Sequence, residues 1–304
     1  MKTEREIRYV ITQQCSLNCW YCHKEGITEN NFSKELLTPQ DYGFFFKVSS
    51  KLGINSTTLS GGEPLQREDI HEIAQNLKKH GCYVVLVTNG LFLRKHKDLW
   101  KSIDELHLSL HGAEVEHLCK NGTLLNQDIL RGVARFCNYK YITLGLNAIT
   151  LMSIFNNCEA INNYLNFAYK YNAVPRFIEL YPPNLSEFLS HDEFMLKLNE
   201  IGFAIIDETL RKIILSNGEK KLELIQLFCR KASNQKDPAQ FCNTYNDLFL
   251  APNGFLKTCM NNSAGIPCLA TIKSRDSALL LQKIKEGYAL VGKNCIYENE
   301  KTRN

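Results

Sequence analysis

From the start of the chain to about residue 185, short apolar runs of strand length alternate with longer segments whose apolar residues recur at helical spacing. The runs Ile7 to Thr12, Ser56 to Leu59, Tyr83 to Thr88, Glu105 to Leu110, Tyr141 to Ile149 and Val174 to Leu180 predict six strands. Helical segments follow each of the first five, among them Thr38 to Leu52, opening on Thr38-Pro39 with proline suited to the first helical turn, and Asn157 to Tyr171. Strand and helix in strict alternation predict βα units on a parallel sheet, and six of them an α/β fold built as an open, partial (β/α)6 barrel with ligands at the carboxyl ends of its strands. The pattern then changes. Residues 186–232 read as a mixed helical connecting segment with a charged surface, and Ala232 to Pro238 is a polar linker. A cysteine-bearing hairpin, Phe241 to Met260, and a last amphipathic helix, Ser277 to Leu290, make residues 233–304 a small C-terminal domain after a core of residues 1–185.

Composition narrows the class. The 304 residues are 44% hydrophobic and 22% charged, enough for one large globular unit plus an appendage. A net charge of +4 without clustered Lys/Arg argues against a nucleic-acid partner. Twelve cysteines behind the charged start Met1 to Glu6 do not read as a secreted disulfide framework, which points to the reducing cytoplasm. No run approaches the roughly 18 apolar residues of a membrane span. Cys82, Cys119, Cys137, Cys158 and Cys229 lie in ordinary surroundings, where a free cysteine serves as a small apolar residue.

Chemistry concentrates at the predicted strand ends. Cys15, Cys19 and Cys22 form a C-x3-C-x2-C triplet directly after the first strand. Three thiolates at this spacing can hold three irons of a [4Fe-4S] cluster and leave the fourth open, since complete ligation takes four cysteines. A structural zinc site or three unrelated core cysteines are the alternatives, but zinc loops usually pair C-x2-C with a second distant pair. After the second strand comes Ser60-Gly61-Gly62-Glu63-Pro64-Leu65, where two glycines allow close backbone approach to a ligand and a carboxylate can accept from an ammonium group. Thr88-Asn89-Gly90 follows the third strand and Ser109-Leu110-His111 the fourth, while Asn147 and Arg176 stand in the fifth and sixth. As plain structure, Thr88-Asn89-Gly90 is a turn, and Ser109 and Asn147 are strand-end polar residues.

The triplet, with Tyr21 before its last cysteine, resembles the signature of radical S-adenosylmethionine (SAM) enzymes. In that superfamily the open iron binds SAM, and one electron cleaves it to methionine and a 5'-deoxyadenosyl radical that abstracts hydrogen from substrate. The whole set, with Tyr21 to Gly26 and Arg176 to Leu180, resembles the MoaA type, the GTP 3',8-cyclases, over about residues 5 to 270. The resemblance implies that Cys15, Cys19 and Cys22 hold the cluster and that Tyr21, Gly61, Gly62, Glu63, Pro64, Thr88, Asn89, Ser109 and Asn147 bind SAM. It further implies that Arg176 acts near the radical, and that a one-electron donor such as flavodoxin or ferredoxin is a partner.

Cys242 and Cys259 flank the Pro252-Asn253-Gly254 turn, which resembles the hairpin of the twitch-type domain that carries a second [4Fe-4S] cluster. MoaA proteins have C-x2-C-x13-C there, and the middle position is Tyr245, so the third thiolate is expected from Cys268, with Cys295 next. Cations that hold the triphosphate in that family are also replaced, by Gln14, Gly145, Asp247 and Phe249, while Arg67 and Arg176 remain. The expectation is therefore radical chemistry on a small substrate less anionic than GTP, such as a nucleoside or sugar. Arg67 and Tyr245 are expected to touch it, at a mouth lined by Tyr181, Tyr245 and Phe249. Alternatives are modification of a ribosomally made peptide, GTP cyclisation itself, and an iron-sulfur sensor without turnover.

Overall fold

The structure is a computed structural model that describes residues 5–24, 37–112, 142–180, 186–209, 211–225, 247–260 and 265–293. Its centre is a parallel run of six strands, β1 (Glu6–Thr12), β2 (Ser56–Gly61), β3 (Tyr83–Thr88), β4 (Glu105–Ser109), β5 (Thr143–Thr150) and β6 (Val174–Glu179), hydrogen-bonded in that order. Between and after them lie α1 (Pro39–Ser49), α2 (Ile70–Lys78), α3 (Met152–Phe155) and α4 (Cys158–Lys170). The six strands are found within two residues of their expected ends, and helices follow β1, β2 and β5; only short 3-10 turns follow β3, and the helix expected after β4 lies outside the described residues.

The sheet then grows at both sides. Beyond α5 (His191–Glu200), β7 (Ala204–Glu208), β8 (Lys212–Ser216) and β9 (Lys221–Ile225) form an antiparallel meander that attaches through β9, parallel to β6. Residues 186–232 were expected to be helical, and the described part is one helix and three strands. Each strand is only five residues long, Ala204–Glu208, Lys212–Ser216 and Lys221–Ile225, too short for its period to stand out from the helical pattern before it. On the other side β10 (Asp247–Leu250) lies parallel to β1, followed by β11 (Phe255–Lys257) and β12 (Gly265–Pro267) in antiparallel order. The C-terminal strands thus continue the barrel sheet, and α6 (Leu269–Lys273) and α7 (Ser277–Leu290) cover them.

Alternation decides which side chains face which layer. Ile7, Tyr9 and Ile11 of β1 belong to the core beneath the helices, with Tyr9 5.8 Å from the rings of both Tyr42 and Phe45 on α1. Phe177 of β6 packs likewise against Phe155, Tyr164 and Phe194, at 5.4, 5.4 and 4.7 Å. The alternate positions Glu6, Arg8, Glu105, His107, Asn147, Arg176, Glu223 and Asp247 therefore face the other side, the lumen of a curled sheet. Curling is shown by Arg211, at the β7–β8 turn, which reaches Glu6 on β1 at 2.8 Å and Asp247 on β10. Helix α1 is held at its start by a capping box, Thr38 with Asp41, and by Pro39 in its first turn.

Candidate active site

The loop after β1 carries the three cysteines to the mouth of the lumen, with Cys15 and Cys22 exposed and Cys19 partly so. Backbone N–H groups already point at the sulfurs, Leu17 at Cys15 Sγ and Lys24 at Cys22 Sγ, each at 3.4 Å, and Asn89 Nδ2 lies 4.0 Å from Cys15 Sγ. Burial is the larger effect at Cys15 and raises its thiol, opposed by the Leu17 donor, which favours the charged thiolate that ligation requires. Tyr21 anchors the loop, packing with Leu151 and Leu180 at the tops of β5 and β6 and lying 4.9 Å from the ring of His111.

The glycine pair explains how the β2 loop meets the cysteine loop. Gly62 donates to Thr12 O at 2.9 Å and Glu63 N–H to Gln14 O at 2.7 Å. A Cβ on Gly62 would stand 2.2 Å from Gln14 O, and one on Gly61 2.3 Å from Thr12 O, so only glycine permits this approach. Glu63 was expected to offer its carboxylate to an ammonium group. Instead it is buried and accepts from Thr88 Oγ1 (2.6 Å), Asn89 N–H (2.8 Å) and Leu65 N–H (2.9 Å). Burial raises its pKa, opposed by these three donors. Its place is that of a clamp joining the β2 and β3 loops, with Pro64 starting the short turn behind it and Thr88 further bonded to Gly90 N–H at 3.0 Å.

Ser109 and Asn147 lie side by side at the top of β4 and β5, and Asn147 Oδ1 accepts from Arg176 Nε at 3.1 Å. His111 had been given no task by the sequence reading. Its Nδ1 accepts from Ile149 N–H at 3.1 Å, and burial pulls its pKa down to about 4, so it is neutral beside Tyr21. The structure thus brings Cys15, Cys19, Cys22, Tyr21, Gly61, Gly62, Glu63, Pro64, Thr88, Asn89, Ser109, Asn147 and Arg176 to the mouth and upper lumen of one barrel.

Three expectations are corrected. Arg67 is not a substrate ligand, because its guanidinium is spent inside the protein on Asp69 (2.6 and 3.0 Å), Ile11 O (2.8 Å), Tyr42 Oη (3.3 Å) and Leu37 O. Phe249 does not line the mouth, since it pairs with Arg8 well inside the lumen. Cys268 cannot join Cys259 on one cluster. Its N–H bonds Gly254 O at 2.9 Å beyond one end of the β11–β12 hairpin, whereas Cys259 lies beyond the other. About 13 Å of strand separates Gly254 from Thr258 at about 3.3 Å per residue. Cys268 is also fully buried in the core, and burial raises its thiol to about 11. Cys242, Tyr245, Cys295 and Tyr181 lie outside the described residues.

The lower lumen holds groups that the sequence reading passed over. Glu105 and His107 on β4 meet at 2.6 Å, and Arg176 Nη1 lies 2.8 Å from Glu223 and 3.6 Å from Glu105. Lys212 pairs with Glu223, and Arg211 with Glu6 and Asp247. Desolvation, then Arg176, lowers the His107 pKa and keeps the ring neutral. The available signal was polar residues at every second position of parallel strands, as in Glu105-Leu106-His107-Leu108-Ser109.

Comparison with known proteins agrees with this geometry. The family model described as the Radical SAM superfamily matches residues 9–164, from within β1 to the middle of α4. The chain belongs to the radical SAM superfamily. Within it the chain is MoaA-like. It is 31% identical over 302 residues, 94% of this chain and 93% of the other, to a "Probable GTP 3',8-cyclase" of Pyrobaculum aerophilum. A protein of the same description from Methanococcus aeolicus is 31% identical over 266 residues, covering 84% of this chain and 85% of its own. Among solved radical SAM structures, Streptococcus suis SuiB bound to S-adenosylmethionine superposes with a TM-score of 0.61 at 13% identity, covering 87% of this chain. The chain spans about three fifths (61%) of SuiB. Native anSMEcpe with bound AdoMet gives 0.60 at 15% identity, over 95% of this chain and 84% of its own. These two show the fold. The protein is therefore an enzyme of radical SAM type, with a [4Fe-4S] cluster and SAM as cofactors. No described helix is long and apolar enough to cross a membrane.

Proposed function

We propose that this radical SAM enzyme abstracts hydrogen from a small metabolite less anionic than GTP, a nucleoside, sugar or related compound, held in the lumen below the cysteine loop. Soft thiolates with backbone N–H donors beside them fit an iron-sulfur cluster, and Cys15, Cys19 and Cys22 would hold it. Together with SAM, that cofactor supplies a 5'-deoxyadenosyl radical when reduced. This chain's own residues position and exclude. The glycine cradle of Gly61 and Gly62, clamped by Glu63, Thr88 and Asn89, would take the methionine end of SAM, with Ser109, Asn147 and Tyr21 around the rest. Arg176 reaches up from the lower lumen to Asn147 and would orient the substrate.

One observation carries the choice of substrate class. Arg176, Lys212 and Arg211 are each already paired with lumen carboxylates, which opposes a triphosphate. A second reading, GTP 3',8-cyclisation, is supported by the names of the relatives. Peptide modification has only fold likeness behind it. Cys242 and Cys259 would serve a second cluster, with a one-electron donor such as flavodoxin or ferredoxin supplying reduction and the cytoplasm as the setting.

The test is anaerobic reconstitution, reduction with dithionite, and quantification of 5'-deoxyadenosine with and without GTP. 5'-Deoxyadenosine formed without stimulation by GTP supports the proposal. Stimulation by GTP together with a 3',8-cyclised product replaces it with the cyclase reading. Absence of 5'-deoxyadenosine in both arms overturns radical chemistry at this site.

A further inference from the structure

The lumen holds buried acceptors that keep hydrogen-bonding capacity unused among the described residues. Glu223 Oε2 is buried with Arg176 Nη1 2.8 Å away, an ion pair that leaves the oxygen capacity to accept a further hydrogen bond. Ser60 Oγ, alternating with the core residue Leu59 and so on the lumen face of β2, is buried without a partner. His107 is 7% exposed, and its one hydrogen bond among the described residues runs from Nε2 to Glu105 at 2.6 Å. With the proton on Nε2, its Nδ1 is an acceptor.

Buried acceptors are costly unless something donates to them. A phosphate cannot, because at neutral pH its oxygens are themselves acceptors and carry charge. The two carboxylates also dispose of the cations. Arg176 is held between Glu223 and Glu105, and Lys212 is taken by Glu223. Space for this arrangement comes from Gly145, where a Cβ would stand 2.6 Å from Arg176 Cδ and 2.8 Å from His107 Cδ2.

We infer that Glu105 and Glu223 determine specificity. They neutralise Arg176 and Lys212 so that the lower lumen rejects a triphosphate and takes an uncharged substrate rich in hydroxyls. Ser60, His107 and Glu223 accept from those hydroxyls. This rests on the reading of the lumen as the substrate site.

GTP and guanosine, which share base and ribose and differ in the phosphates, are the probes. Equilibrium binding of each is measured on the reconstituted, SAM-loaded enzyme at low and high NaCl, for the wild type, Glu105→Gln, Glu223→Gln and the double variant. The preference for GTP over guanosine is expected to rise about tenfold in the double variant, since neutral amides free the cations for charge-assisted bonds, and to shrink with salt. Each single variant gives an intermediate rise, which serves if the double variant does not fold. Gln variants that gain no GTP preference overturn the inference, as does a wild type that already binds GTP about thirtyfold more tightly than guanosine, a margin of the size charge-assisted contacts produce. Failure of the radical SAM reading would appear separately, as absent 5'-deoxyadenosine in the wild type.

Discussion

Arg211, at the turn between β7 and β8, donates from Nη1 to Asp247 Oδ2 on β10 at 2.9 Å and to Glu6 Oε2 on β1 at 2.8 Å. One guanidinium thereby ties the late meander to the strands at the opposite side of the lumen. Burial makes Asp247 expensive to ionise and pushes that carboxyl up to about 6, while Arg211 pulls it back.

Replacing Arg211 by Met is expected to destabilise the protein by about 2 kcal/mol or more, because a desolvated carboxylate loses its counter-ion. The pH dependence has a definite sign. An acid whose folded pKa lies above its unfolded value of about 3.9 binds more protons when folded, so stability falls as pH rises through that interval. Without Arg211 the folded pKa climbs further, and the decline continues above pH 6. Melting temperatures should therefore differ least near pH 5 and most near pH 8, and a pH-independent difference would refute the assignment.

Cys259 and Cys268 lie beyond opposite ends of the β11–β12 hairpin, which separates their fates. Loss of the Cys259 thiol is expected to lower iron from about eight to about four per chain, the content of one [4Fe-4S] cluster. Cys268→Ala should leave iron unchanged and cost only packing, about 1 kcal/mol for a small buried group. Iron and acid-labile sulfide after anaerobic reconstitution check both, and an iron loss in Cys268→Ala would reinstate it as a ligand.

The upper half of the barrel was legible because its chemistry is local in sequence. The Cys15–Cys22 triplet, Gly61-Gly62-Glu63 and Thr88-Asn89 each fall in one loop directly after a strand, where a parallel barrel must gather ligands. The lower half was not, because Glu105 and Glu223 stand far from Arg176 in sequence and meet it only through the strand order β4-β5-β6-β9. Arg67 misled for a different reason. It stood out as one of two cations retained from the family's triphosphate-holding set, yet buried carbonyls of Ile11 and Leu37 needed a donor and took it. The meander β7–β9 escaped notice because its three strands are five residues each, too short to show a period of two apart from helix α5 before them.

Gly145 lies beneath the side chain of Arg176 and against His107. Gly145→Ala is expected to cost about 1–3 kcal/mol through overpacking, and Arg176 can relieve the clash only by leaving Asn147 or Glu223. The functional consequence is therefore larger than the structural one, with 5'-deoxyadenosine still formed but less of it coupled to product. Denaturant unfolding and the ratio of 5'-deoxyadenosine to product check the two parts, and an unchanged ratio would show that Arg176 does not orient substrate.

Asp41 joins the barrel to its C-terminal cover. It is 1% exposed, accepts from Thr38 N–H at 2.8 Å within the α1 capping box, and pairs with Lys273 at 2.8 Å and Arg275 at 2.9 Å. Burial acts to raise its pKa, but the bonds from Lys273 and Thr38 outweigh it and the net shift is downward. A depressed folded pKa contributes stability that is complete above the unfolded value of about 3.9 and disappears as pH falls through the folded one. Asp41→Asn is accordingly expected to lose about 2–3 kcal/mol at pH 7, since two cations lose their partner while the cap is only weakened. The deficit should begin to narrow as pH falls below about 4, where the unfolded carboxyl takes up a proton, and close fully only below the depressed folded pKa. Urea unfolding at pH 7 and pH 3.5 measures this, and a deficit of equal size at both would mean that the carboxylate charge does not hold α6 against α1.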